Sequence, residues 1–150
     1  MTHLKVVAKN RRATFDYHVE ERIECGIALT GTEVKSLREG KLHLSDAYAV
    51  GQRGELVLIN ADIAPYGPAG PLLNHPPKRT RKLLLHRREI DRLLEQQQRG
   101  GYALIPLSVY FKDGRAKVEL GVCRGKKSFD KRAAMAEREA EREMARGRRR

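Results

Sequence analysis

The chain has 150 residues, with 31 Lys and Arg against 19 Asp and Glu, a formal net charge of +12 and 40% hydrophobic residues. This length allows one domain with an appendage, since a body of about 120 residues buries roughly two thirds of its unfolded surface and folds without staples. So positive a balance calls for an anionic partner, and nucleic acid fits better than a membrane, because the one strongly basic helix candidate offers little but alanine on its apolar side.

The first ten residues hold no apolar run long enough for a signal-peptide core or a membrane span, so the chain is expected in the cytoplasm with no membrane contact. Asn10-Arg11-Arg12 is a basic cluster followed by Phe15 and Tyr17. Arg11 and Arg12 can hold phosphates while Phe15 stacks on a base, Tyr17 being the ring expected in the core. From Ile23 the sequence alternates, with Cys25, Ile27 and Leu29 on the core face and Glu24 on the polar face, a strand period. Cys25 and Cys123 have neither zinc spacing nor a disulfide framework and read as buried thiols in a reducing compartment. Thr30-Gly31-Thr32-Glu33 has capping-box spacing ahead of Val34 and Leu37, which predicts a short helix ending near Gly40, with Glu33 and Glu39 capping or solvated on it.

Tyr48 to Val50 and Glu55 to Ile59 flank Gly51-Gln52-Arg53-Gly54, a predicted hairpin with a four-residue turn. Between Pro65 and Pro77 lie all but one of the six prolines, which predicts a long loop, functional or disordered. A second basic cluster, Lys78 to Lys82, follows Tyr66 in that loop. Ile90, Leu93, Leu94 and Gln97 recur at helical spacing over Glu89 to Gln98, and Gly100-Gly101 stops the helix. Tyr102 to Phe111, Asp113-Gly114 and the alternating Ala116, Val118, Leu120 and Val122 give the strongest hairpin signal, so the core ends near Cys123.

The remainder is a tail carrying about half the net charge of +12. Ser128 to Met144 are good helix formers, but Ala136, Ala140 and Met144 make too thin an apolar stripe to dock a helix, while Arg138, Arg142 and Arg146 fall on one face. A helix this short is marginal in water, so the tail is expected disordered when free and helical against a polyanion. The chain then divides into a body, 1–124, and a tail, 125–150. Several short strands with two or three small helices suggest a mainly β body, an OB-type barrel presenting strands and loops to oligonucleotides.

Catalysis finds little support. The histidines at 3, 18, 43, 75 and 86 show no metal-ligand spacing, and phosphate loops, nucleophile elbows and paired carboxylates are missing, so no enzyme, metal or cofactor is expected. Glu24 is either a solvated carboxylate or an acceptor for base amino and imino groups, which no cation can be. Phe129, set between Lys126-Lys127 and Asp130-Lys131-Arg132 outside any core, suits stacking on a base.

Lys9 to Ala13, Gly31 to Arg38, Arg79 to Leu85, and Gly125-Lys126-Lys127 with Asp130-Lys131-Arg132, together with the arginine-rich tail, make the chain resemble the small protein B (SmpB) family. These are bacterial partners of transfer-messenger RNA (tmRNA) in trans-translation. The resemblance implies an OB-type barrel on the tRNA-like domain of tmRNA, standing in for the missing anticodon arm. It also implies a tail in the decoding region and empty mRNA channel of a stalled ribosome. By matching position, Asn10, Glu24, Leu84 and Lys117 fall where the family contacts tmRNA, with Arg11, Lys35, Arg38, Arg81 and Lys82 expected around them. Gly125, Lys126, Lys127, Phe129, Asp130, Lys131, Arg132, Arg138, Arg142 and Arg146 fall to the ribosome, Phe129 near the decoding bases. Cys25 stands where the family often has Ala, and His43 where it often has Asn. The expected function is a monomeric, non-enzymatic adaptor that brings tmRNA to stalled ribosomes. A generic OB-type RNA-binding or ribosome-assembly protein is the alternative on the body's clusters alone, and a nuclease or modifying enzyme the third.

Overall fold

The computed structural model describes residues 3–126 and 128–148, and within α4 (Ser128–Arg148) the side chains of 128–131, 133–134 and 146–148 lie outside what is described. Asp113 and Gly114 both take positive φ, 49° and 81°, the two-residue geometry whose twist matches paired strands, and they close the hairpin of β8 (Ala103–Lys112) on β9 (Arg115–Gly125). The same geometry recurs at Arg53 and Gly54, φ 52° and 76°, between β4 (Tyr48–Gln52) and β5 (Glu55–Ile59). That turn is shorter than the four residues expected from its glycines, because Gly51 and Gln52 still pair with Leu56 and Glu55. Gly51 serves packing instead: a β-carbon there would meet Leu94 Cδ2 at 2.5 Å.

The remaining strands are β1 (Leu4–Lys9), β2 (Tyr17–Ile27), the short pair β3 (Leu42–His43) and β6 (Asp62–Ile63), and β7 (Arg81–Leu84). Seven strands form one antiparallel sheet in the order β1-β8-β4-β5-β7-β2-β9. Pairing of β8 with β9 closes the sheet on itself, while β1 adds to β8. The body is thus mainly β and closed, as an OB-type barrel requires. Pro106 sits where the β8–β9 register shifts, a place where a strand tolerates a residue without an N–H.

Three helices decorate the ring. α2 (Gly31–Arg38) starts at the predicted capping box, Thr30 accepting from the Glu33 N–H and Glu33 from the Thr30 N–H. α3 (Arg87–Gln98) begins two residues before Glu89 and buries Ile90 and Leu93. α1 (Arg11–Asp16) and β1 escape the sequence patterns. Asn10 builds α1, its side chain accepting from the Ala13 N–H. Ala13 then seats on Ile105, Leu107 and Cys123, with Tyr17 packed alongside as expected of the core ring. Leu56, Leu58, Leu83, Leu93, Leu104, Val118, Leu120 and Cys25 fill the main core. The loop from Pro65 to Pro77 holds a 3-10 turn, Gly67–Ala69, and is pinned by Asn74, which donates to Tyr66 O and Gly70 O and accepts from the Tyr66 N–H. No described helix is long and apolar enough to cross a membrane.

Candidate nucleic-acid interface

Strand register assembles the interface. Tyr110 pairs with Lys117, Lys117 with Gly26, and Gly26 with Leu84, so four strands contribute one row on the outside of the ring. Facing partners in a sheet share a side, which puts Lys117 and Leu84 either side of a residue with no side chain. Leu84 uses that space: its Cβ would lie 3.1 Å from a β-carbon on Gly26, and it stays half exposed. Lys82, two residues before Leu84, points the same way and lies 3.7 Å from Glu55.

Glu24 occupies the neighbouring position on β2. Its Oε2 accepts from the Tyr110 hydroxyl at 2.5 Å, and Lys112 Nζ stands 3.3 Å from Oε1 and 3.4 Å from Oε2. The Tyr110 hydrogen bond, with Lys112 and Lys117 nearby, outweighs partial burial and holds the carboxyl below its ordinary value. Burial first, and then the same bond, push the Tyr110 phenol up. Glu24 is therefore an ionised, oriented acceptor among cations. It lines two hollows, one of about 670 Å³ shared with Leu4, Val6, Arg11, Tyr110, Lys112 and Glu119 among others, and one of about 400 Å³ shared with Arg115 and Lys117. A surface of cations with an oriented acceptor and an apolar wall can hold phosphates and read a base edge.

Of the residues singled out in sequence, Arg11, Glu24, Lys82, Leu84 and Lys117 thus reach this outer surface. Two are buried instead. Arg81, expected around the RNA, is fully buried and donates through Nε to Glu33 and through its terminal nitrogens to Ala61 O (2.7 Å) and Pro77 O (3.0 Å), which makes it a core residue in this structure. Asn10 is also largely buried; its amide donates to Leu44 O and Pro106 O and its oxygen caps α1, so it braces α1 and β8 at the edge of the 670 Å³ hollow that it helps to line. Glu33, expected capping or solvated, caps α2 but is fully buried between Arg79 and Arg81.

The other cations form separate groups. Lys35 lies 5.3 Å from the Tyr66 ring centre on α2, with Arg38 exposed in the last turn. Arg12 pairs with Asp16 (3.2 Å) and Asp46 (3.7 Å) beside a hollow of about 390 Å³ that includes Tyr17, Tyr48 and Tyr102. Phe15 lies under the Arg138 guanidinium, 5.4 Å from its ring centre, which joins α1 to the tail. The tail is rooted on α1 as well: the Lys126 N–H donates to Asp16 O at 2.8 Å and its ammonium to Thr14 O at 3.0 Å. Gly125 ends β9, and Arg132, Arg138 and Arg142 are exposed on α4. Lys127 lies outside the described residues, as do the side chains of Phe129, Asp130, Lys131 and Arg146.

Sequence reading passed over Tyr110, Lys112 and the apolar pair Leu4 and Val6. The Asp113-Gly114 turn held the signal for two of them. Counting back from it pairs Lys112 with Arg115 and Tyr110 with Lys117, which sets Tyr110 directly across from a residue already singled out and Lys112 two positions along the same strand. Among the described residues no group of three or more His, Cys, Asp or Glu is placed to hold a metal ion. Burial raises the thiols of Cys25 and Cys123, to about 12 and about 11, which removes them as nucleophiles at neutral pH.

The model of the SmpB protein family matches residues 7–150. An SsrA-binding protein of Myxococcus xanthus is 55% identical over 98% of this chain and 90% of its own. One from Caulobacter vibrioides is 54% identical over 95% of this chain and 93% of its own. A solved structure described as "tmRNA-SmpB: a journey to the center of the bacterial ribosome" contains a chain 51% identical, with a TM-score of 0.68, covering 81% of this chain and 85% of that one.

Proposed function

The chain belongs to the SmpB protein family, and on that premise we propose that it binds the tRNA-like domain of tmRNA and delivers it to stalled ribosomes. The observation that carries this reading is the row of Lys117, Gly26 and Leu84 beside the oriented Glu24, assembled from three strands on one outer face. Arg11, Lys82 and Lys117 take phosphates, Leu84 packs on a sugar or base, and Glu24 accepts from base donors. The body so docked stands in for the missing anticodon arm. The tail, 125–150, leaves from the α1 root at Lys126 and enters the decoding site and empty mRNA channel, where its arginines meet ribosomal phosphates. The protein works in the cytoplasm as a monomer and as an adaptor that makes and breaks no covalent bonds. Metal-dependent cleavage of the bound RNA would count against that last point.

Deleting residues 125–150 tests the division of labour. Affinity for tmRNA is expected to stay near that of the full chain while peptide tagging on stalled ribosomes is lost. Retained tagging, or collapse of tmRNA affinity, would overturn it.

A further inference from the structure

We propose that the 670 Å³ hollow beside Glu24 is a pocket for one unpaired guanine of the bound RNA, with Tyr110 as the residue that positions the carboxylate. This rests on the RNA-binding reading above and says which base that face selects.

The hollow has an apolar wall and a polar end. Along β1, Val6 pairs with Tyr110 and Leu4 with Lys112, and Leu4 and Val6 remain 62% and 53% exposed. Exposed aliphatics beside a tyrosine, rimmed by Lys9 and Arg11, suit the flat face of a base whose flanking phosphates meet the cations. The volume falls within the range of small-ligand sites.

Glu24 stands at the polar end. A negative charge on a phosphate-binding face repels the polyanion unless it receives donors from the RNA. Tyr110 and Lys112 contact Oε2, whereas Oε1 has only the 3.3 Å contact with Lys112, so Glu24, which lines the hollow, keeps acceptor capacity on Oε1. Guanine presents two adjacent donors, N1–H and the 2-amino group, on its pairing edge. Adenine, cytosine and uracil set an acceptor beside each donor there, and that acceptor would face the carboxylate lone pairs. The edge must be free, so the guanine lies in a loop or bulge.

The test is analogue interference with the full-length protein and the tRNA-like domain of tmRNA transcribed with sparse inosine in place of guanosine, which removes the 2-amino group alone. Molecules bound by the wild-type protein are expected to be depleted about tenfold in inosine at one guanine, the loss of one hydrogen bond to a charged group. With Glu24→Ala that depletion falls below about twofold, and with Tyr110→Phe, which keeps the ring, it falls between the two. Guanines needed for the RNA's own folding respond alike in all three proteins. An identical pattern for wild type and Glu24→Ala would overturn the guanine pocket while leaving RNA binding intact. A wild-type pattern with Tyr110→Phe would overturn the positioning role. Failure of the wild-type protein to bind this RNA would overturn the function on which the pocket rests.

Discussion

Burying the Glu33 carboxylate alone would cost several kcal/mol, and its donors offset that cost. Burial pushes its pKa up, yet hydrogen bonds from Arg79, the Thr30 N–H and Arg81 win and hold it at about 2. Because the folded value lies below the unfolded one, Glu33 stabilises the fold fully above about pH 4.5, and this contribution is lost as pH falls towards 2. Urea unfolding across that window is expected to show a steeper loss of midpoint for the wild type than for Glu33→Gln. Equal slopes would mean that the pair contributes nothing to acid sensitivity. Arg81→Met leaves the buried Glu33 with Arg79 and the Thr30 N–H but removes one charged donor, and is expected to cost about 1.5–3 kcal/mol at neutral pH in the same measurement. In the sequence Arg81 is one more cation in a basic run. β7 alternates buried and exposed, so Arg81 and Leu83 turn inward while Lys82 and Leu84 turn outward. The acidic partner that makes an inward arginine tolerable lies 48 residues away, a distance no local pattern spans.

Elements held by their own turn and cap chemistry were legible in sequence: the Asp113-Gly114 hairpin, α2 with its capping box, and the α3 stripe. β1 and α1 were not. Leu4–Lys9 lacks a clean alternation, since β8 pairs with its backbone while Leu4 and Val6 stay outside, and α1 is six residues fixed by the buried Asn10. α4 sits between these cases. Its residues favour a helix, and its described links to the body are the Lys126 root and the cation–π contact of Arg138 on Phe15. An exposed contact of that kind is worth about 0.5–1 kcal/mol, against a costly helix nucleus. A peptide of residues 125–150, stripped of both links, is expected to be mostly coil by far-UV circular dichroism and to gain helix when an RNA is added. A stable helix in the free peptide would show that the segment needs neither the body nor a polyanion to fold.

At the scale of the whole molecule, a net charge of +12 guarantees attraction to any RNA, so affinity at one salt concentration cannot separate a selective face from a sticky one. The salt slope can. Each phosphate contact released should lower the slope of log affinity against log salt by about one. Lys117→Ala is therefore expected to weaken binding to the tRNA-like domain and flatten the slope by that amount. Leu84→Ala removes an apolar contact and is expected to weaken binding with the slope unchanged. Glu24→Ala is the decisive member of the set, because it raises the net charge. A face that works by charge alone would bind tighter without this carboxylate, whereas a face that reads base donors would bind more weakly despite the added positive charge. Weaker binding is the expected outcome. Tighter binding at every salt concentration would reduce Glu24, for all its careful hold by Tyr110 and Lys112, to a solvated charge on a basic surface.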